Sequence, residues 1–342
     1  MAIKRNTQES KLMSASSTAG SDEALDFNLR PNKLDDYVGQ EEVKLNLKYL
    51  IESARLRKQH LDHILLHGAP GLGKTTLANI IGSEVGVSVK VTSGPALEKQ
   101  GDIASIITNL KEGDILFIDE IHRLKPALEE ILYSAMEDYA IDLVIGKGPA
   151  AKTMRLKLPK FTLIGATTKV SMLSSPLRDR FGAVYKLQFY SVDDIGKIIT
   201  RSAKILSFDL DAEAALMVAK SARQTPRIAN RLLKRARDYA LVHGKNTIDK
   251  NVAAKCLQML GIDEIGMDES DRQILTSIIE KFHGGPVGLN SIAAIVSEDA
   301  ETIEDVYEPY LLQLGMMERT ARGRVATSLA YDHLGFNKTK NA

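Results

Sequence analysis

From Asp62 to Ala78 the chain reads DHILLHGAPGLGKTTLA, a run whose residue types and spacing suit a triphosphate. In the pattern GxxxxGK[ST], backbone N–H groups and a helix N-terminus cradle phosphate oxygens. The lysine reaches the terminal phosphates, and the first hydroxyl holds Mg²⁺. Gly71 and Gly73 are placed for the cradle, Lys74 for the phosphates and Thr75 for the metal. The apolar Ile64, Leu65 and Leu66 read as a buried strand, and Lys74, Thr75 and Thr76 open the next helix, which is the context the pattern needs.

Further chemistry follows at strand ends. DILFIDEIH, Asp114 to His122, carries four consecutive apolar residues and then Asp119 and Glu120. Such a run predicts a strand buried on both faces, as in a parallel sheet covered by helices. Side chains at the carboxyl end of that strand project into the ligand crevice. Asp119 is therefore placed to orient a Mg²⁺ shell and Glu120 to polarise an attacking water. His122 reads as a helix-cap or packing residue. A second apolar strand, Phe161 to Ala166, ends in Thr167 and Thr168, where a hydroxyl can bond a γ-phosphate or the lytic water; Thr167 is the candidate. In SPLRDRFG, Arg178 and Arg180 lie in or just beyond a short helix. An arginine aimed at a neighbouring subunit's γ-phosphate would stabilise transition-state charge, a role that requires an oligomer.

The elements that must position these groups belong to an ordinary globular chain of 342 residues, 44% hydrophobic and 26% charged, long enough for two or three domains. A formal net charge of +1 predicts neither nucleic-acid nor membrane binding, so any such surface must be local. The single cysteine, Cys256, fits a reducing cytoplasm and lies in an apolar helical pattern. Met1 to Asp26 is polar, lacks a signal-peptide core and reads as a leader; no transmembrane run follows. After the phosphate loop the pattern predicts a helix to about Glu84, a strand over 87–92 and a helix over 103–110.

Between Asp138 and Leu158, Ile141, Leu143 and Ile145 alternate with other residues, GKGPAAK turns the chain, and Met154, Leu156 and Leu158 alternate again. This is a hairpin pattern. It reads equally as a hairpin packed on the core or as an arm whose apolar face docks a partner. From Ser191 to Leu260 four amphipathic helices form a lid, with Pro226 suited to a first helical turn. Arg227 there is able to contact phosphate, whereas Arg231, Lys234 and Arg235 read as a solvated face. Beyond Gly261, three helices and two extended runs, 316–319 and 325–328, joined by a turn at Arg322 and Gly323, read as a winged helix. Residues 262–342 hold seven Lys or Arg against fourteen Asp or Glu, so a broad electrostatic grip on DNA is not expected. The exception is the wing, where Arg319, Arg322 and Arg324 could touch phosphates.

Taken together, GAPGLGKT, DILFIDEIH, LIGATT, SPLRDRFG and TPRIANRLL resemble the Walker A, Walker B, sensor 1, arginine-finger and sensor 2 motifs of AAA+ ATPases, in that order. More narrowly, RPNKLDDYVGQ, TSGPALEKQGD, LYSAMEDYAIDLVIGKGPAA and GGPVGLNSIAAIV resemble the RuvB family of Holliday-junction branch-migration motors, from about Leu29 to Phe336. The resemblance implies an α/β fold: an AAA+ P-loop parallel-sheet core, a helical lid and a C-terminal winged-helix domain. The expected division is a leader (1–28), a large ATPase domain (29–190) with a hairpin at about 141–158, a lid (191–261) and a winged helix (262–342). It further implies a cytoplasmic homo-hexamer around double-stranded DNA, acting in recombination and repair with ATP, Mg²⁺, RuvA and RuvC.

Residue by residue, the resemblance assigns Leu29 and Arg30 to the purine, and Gly71, Lys74, Thr75 and Thr76 to phosphate and metal, with Asp119 as the other metal residue. Glu137, Asp138 and Tyr139 match nucleotide contacts, Arg180 a finger offered in trans, and Tyr190 and Arg227 the lid side of the site. Leu143, Val144 and Ile145 would anchor RuvA, and Arg319 and Arg324 match DNA contacts. Ala300 stands where some relatives carry another arginine. Two other readings share this domain set: an AAA+ winged-helix switch of the replication-initiator or clamp-loader type, and a protein-remodelling ATPase, which the absence of a recognisable pore loop disfavours.

Overall fold

The computed structural model describes residues 28–145 and 152–336, with backbone alone for 143–145 and 152–153. Seven strands occur in the nucleotide domain: β1 (Ile64–His67), β2 (Val89–Ser93), β3 (Ile115–Asp119), the pair β4 (Ala140–Ile145) and β5 (Lys152–Lys157), β6 (Thr162–Thr167) and β7 (Ala183–Lys186). Five of them form one parallel sheet in the order β2-β3-β6-β1-β7. Helices cover both faces, so consecutive apolar residues of one strand enter different cores. Ile115 and Phe117 of β3 join one cluster, and Leu116 and Ile118 join the other. This is why the strand shows an unbroken apolar run and no alternation.

The flanking helices are α1 (Glu41–Arg57), α2 (Lys74–Val85), α3 (Gln100–Thr108), α4 (Pro126–Glu137) and the short α5 (Ser175–Arg178). The start of α3 lies three residues earlier than its apolar pattern indicates, because the Asp102 carboxylate accepts the Lys99 N–H at 2.8 Å and caps the first turn. The lid comprises α6 (Val192–Ile205), α7 (Ala212–Lys220), α8 (Pro226–Val242) and α9 (Lys250–Met259). Ser191 and Asp249 cap α6 and α9 by accepting the backbone N–H groups of Asp194 and Val252. A small parallel bridge, β8 (Asp209–Leu210) with β9 (Thr247–Ile248), ties the lid's loops and is too short to leave a sequence pattern. Lid residues Ile195, Ile199 and Leu232 belong to the same apolar cluster as Leu66 and Ile80, so lid and sheet share a core. Cys256 is buried within it.

The C-terminal unit has its own core. It contains α10 (Glu269–Lys281), α11 (Leu289–Val296), a helical segment running through Ala300–Thr302 and a π-helical turn Ile303–Tyr307 into α12 (Glu308–Gln313), the wing strands β10 (Met317–Thr320) and β11 (Gly323–Ala326), and α13 (Ser328–Leu334). The wing turn is Ala321–Arg322, and Gly323 is already in strand, paired with Thr320. The backbone of Val287 bonds Arg324 there in both directions, at 2.8 and 3.0 Å. A Cβ on Gly323, whose φ is +139°, would lie 2.3 Å from the Val287 carbonyl oxygen. Close approach of a third strand segment, more than the turn, requires the glycine. Ala300 packs against this domain's core.

Hairpin β4–β5 is antiparallel, with Ile141 opposite Leu156 and Leu143 opposite Met154. Its root is set in the nucleotide domain, where Ile141 and Leu158 are buried, whereas Met154 is 45% exposed. The GKGPAAK turn lies almost wholly outside the described residues, as do the side chains of Leu143, Val144 and Ile145.

Arg223, in the turn before α8, joins the lid to the C-terminal unit. Its NH2 group donates to Asp271 Oδ1 at 3.0 Å and its guanidinium lies 4.7 Å from the Tyr310 ring centre. Asp271 is fully buried; burial pushes its carboxyl up to about 7, and the Arg223 charge opposes that shift. Removing one partner of a buried pair costs about 3–5 kcal/mol. Arg223→Ala should therefore lower the calorimetric melting temperature of the C-terminal unit, and an unchanged melt would show that this joint contributes little.

Candidate functional site

A cleft of about 630 Å³ opens between the carboxyl ends of the sheet strands and α8 of the lid, lined by Arg30, Gly71, Lys74, Thr75, Thr76, Asp119, Glu120, Thr168 and Arg227. That volume suits a nucleotide-sized ligand. The loop between β1 and α2 folds tightly enough for Gly71, at φ +81°, to lie against the lid, where an added Cβ would be 3.2 Å from Arg227 Cβ. Lys74 is buried and its Nζ donates to the carbonyl oxygens of Gly68 and Ala69 at 2.8 and 2.9 Å. Burial depresses its pKa to about 8; Asp119 and Glu120 counter this and Arg227 adds to it.

The Thr75 hydroxyl donates to Asp119 Oδ2 at 3.4 Å, so the two residues expected to share a cation converge. Asp119 Oδ1 also accepts the Glu120 N–H at 2.9 Å. Glu120 adopts φ +47°, a conformation uncommon outside glycine and concentrated at functional sites, and its carboxylate pairs with Arg123 at 3.4 Å.

Beside the cleft, a smaller hollow is lined by Leu29, Arg30, Tyr37, Thr76, Tyr190, Arg201, Pro226 and Asn230. Leu29 is buried, and its carbonyl oxygen accepts from Arg201 of α6 at 2.5 Å. The Tyr190 hydroxyl lies 2.9 Å from the Tyr37 hydroxyl and 3.2 Å from the Leu72 carbonyl oxygen. Burial pushes its pKa up to about 12, so it remains a neutral donor. Leu29, Arg30 and Tyr190 thus meet at one end of the phosphate loop, with Arg201 as a lid contact that the sequence pattern did not single out.

Three sequence expectations change in whole or in part. Arg231, Lys234 and Arg235 line the cleft with Arg227; Lys234 is buried, whereas Arg231 and Arg235 stay exposed as expected. Their positions repeat at three and four along α8, and the lid turns that face inward over the phosphate loop, which sequence spacing alone does not reveal. Thr167 is buried behind the cleft wall, while Thr168 lies on it. Every residue of β6 from Thr162 to Thr167 is buried, so the first hydroxyl free to face the cleft comes one residue later. His122 is neither cap nor simple packing: its Nδ1 and the Thr167 Oγ1 lie 2.9 Å apart, and burial lowers its pKa.

Arg180, Glu137, Asp138 and Tyr139 do not line the cleft. Arg180 donates to Glu137 at 2.7 Å and lies over the Tyr133 ring at 4.9 Å, while Asp138 accepts from Arg155 of the hairpin at 2.6 Å. Tyr139 packs edge-on against His60 and Phe161. These residues form a separate surface group around the end of α4.

On the wing, Arg319 donates through Nε to Glu308 at 2.6 Å and through NH2 to Glu304 at 3.0 Å; Arg324 reaches the other Glu308 oxygen at 3.2 Å. Glu308 is buried at 1% exposure, so the acid fixes both guanidinium groups. Arg322, at the turn, is exposed. Among the described residues, no helix is long and apolar enough to cross a membrane.

The family model described as the Holliday junction DNA helicase RuvB P-loop domain matches residues 29–187. Models for the RuvB AAA lid domain and the RuvB C-terminal winged helix domain match residues 190–263 and 264–335. The solved Thermotoga maritima RuvB Holliday junction branch migration motor is 50% identical, with a TM-score of 0.83 over 91% of this chain and 99% of that one. Two point mutants of that protein superpose with a TM-score of 0.84 at 50% identity, over 90% of this chain and 99% of theirs.

An incoming polyphosphate raises the depressed Lys74 pKa, because it restores a counter-charge to a desolvated ammonium. Triphosphate binding should therefore take up protons at pH values around and above 8, and affinity should fall as pH rises through that value. Calorimetric titrations in two buffers of different ionisation heat would detect the uptake, and identical heats would exclude it.

Proposed function

Since the chain belongs to the RuvB family, ATPases that act as Holliday junction branch-migration motors, we propose that its cleft hydrolyses ATP and its wing holds the duplex that this hydrolysis moves. Thr75 and Asp119 would hold Mg²⁺, whose preference for hard oxygen ligands and retained waters matches one hydroxyl, one carboxylate and the substrate phosphates. A cation held by these two residues would supply charge neutralisation to the substrate phosphates.

Lys74 exchanges its two loop carbonyls for terminal phosphate oxygens. Glu120 leaves Arg123 to orient and deprotonate the attacking water, Thr168 bonds the γ-phosphate or that water, and Thr167 keeps His122 and the strand end in place. Leu29, Arg30 and Tyr190 bound the purine end, and Arg227 with its α8 neighbours carries phosphate charge into the lid. The Arg319, Arg322 and Arg324 guanidinium groups hold duplex phosphates without reading sequence.

One observation supports the assembly: Arg180 and Glu137 pair with each other on the surface, away from their own chain's cleft. In a ring they would meet a neighbour's cleft, and the family resemblance makes that ring a hexamer around duplex DNA. Glu137, Asp138 and Tyr139 then approach nucleotide across the same boundary. The hairpin, rooted by Ile141 and Leu158 with Met154 exposed beyond them, offers Leu143, Val144 and Ile145 to RuvA, with RuvC joining the same junction in the cytoplasm.

Lys74→Ala should lose nucleotide affinity, whereas Arg180→Ala should bind ATP yet fail to hydrolyse it. Mixed, the two chains should partly recover turnover, because an intact cleft then meets an intact arginine; no recovery at any ratio would overturn the shared site. Wild-type chain with RuvA should dissociate a four-way junction as it consumes ATP, and turnover without junction movement would favour the switch.

A further inference from the structure

Lys169 follows Thr167 and Thr168 at the open end of β6, and its side chain reaches out of the nucleotide domain. Its Nζ lies 2.8 Å from Asp305 Oδ2 and 3.6 Å from Glu301 Oε1, both in the C-terminal unit. The lysine side chain is 22% exposed and that of Asp305 31%, so the pair is better shielded than a typical surface pair.

These acids lie on the helical segment that also bears Glu304 and Glu308, the holders of Arg319 and Arg324. Positions 301, 304, 305 and 308 follow the three-and-four spacing of one helix stripe. That single stripe has two sets of cations: a lysine from the ATPase domain and the arginines of the wing. The π-helical turn Ile303–Tyr307, a local widening that recurs at functional sites, occupies its middle. At the other end, the Lys169 N–H donates to Thr167 Oγ1 at 2.9 Å, and Thr168 faces the cleft.

We infer that Lys169 is a positioning residue that couples the nucleotide cleft to the wing through this acidic stripe. A displacement of the β6 end on phosphate binding or loss reaches the stripe through the Lys169–Asp305 pair. In the other direction, DNA phosphates compete with Glu304 and Glu308 for the wing arginines, which leaves the stripe more negative and tightens its hold on Lys169. Coupling between two sites is reciprocal, so both directions share one free energy. The inference rests on the reading that the wing takes duplex DNA.

The test is the stimulation of ATP turnover by duplex DNA in the full-length chain. Asp305→Asn should keep basal turnover and nucleotide-free duplex affinity but lose stimulation by about fivefold, the lower range of allosteric coupling. Lys169→Gln should lose the same stimulation, and the exchanged pair Lys169→Asp with Asp305→Lys should regain most of it. Full stimulation in either single variant would overturn the coupling. So would loss of nucleotide-free duplex affinity in parallel, or an exchanged pair no better than the single variants. Wild-type turnover indifferent to DNA would overturn the motor reading and this inference with it.

Discussion

The site depends on positive charge gathered at a cleft between two domains. Arg30, Lys74, Arg227, Arg231, Lys234 and Arg235 line it with Asp119 and Glu120; Lys74 and Lys234 are buried, and Arg235 also pairs with Asp238 at 3.2 Å. Like charges gathered at one cleft repel, most strongly where burial keeps solvent from screening them, as at Lys74. Folding brings these cations together because the apolar core continuous between sheet and lid holds α8 over the phosphate loop. An anion with several charges relieves that repulsion further. A polyphosphate therefore does more than occupy a pocket: it removes an electrostatic opposition to lid closure. Losing one phosphate returns part of it, which gives hydrolysis a direct route to domain movement.

That movement has different mechanical consequences on the two sides of the lid. Towards the nucleotide domain, the contact is a shared apolar core supplemented by Arg201 on the Leu29 carbonyl, a surface that tolerates small sliding. Towards the C-terminal unit, the contact is the Arg223 guanidinium set between Asp271 and Tyr310, where displacement would leave a buried charge unpaired. The two joints therefore differ in kind, one apolar and continuous and the other ionic and local, and Lys169 adds a direct contact from the nucleotide domain to the C-terminal unit.

Much of this was legible in the chain. The strands were readable because burial on both faces forces unbroken apolar runs, and the phosphate loop because glycine, lysine and hydroxyl must occur at fixed offsets around an anion. What stayed hidden depends on which way an element faces. Helical spacing shows that Arg227, Arg231, Lys234 and Arg235 share a stripe, but only packing decides that it borders the cleft. Thr167 and Thr168 are chemically identical, and strand burial alone separates them. The pairing of Arg319 and Arg324 with Glu308 joins residues from a helix and a hairpin, and no local pattern announces it. His122 resembled a packing residue because its partner Thr167 is forty-five positions away.

The placement of Arg180 constrains the mechanism further than any residue within the cleft. A guanidinium that stabilises transition-state charge must withdraw or be absent when hydrolysis would be wasteful, and within a single chain that demands a moving loop. Here Arg180 is instead fixed, held by Glu137 and the Pro176 carbonyl and laid over Tyr133. On the proposed reading, in which Arg180 serves the cleft of another copy, a fixed arginine becomes conditional because that copy's approach varies. The hold on the arginine and the open cleft then have one explanation: the variable distance is the one between subunits.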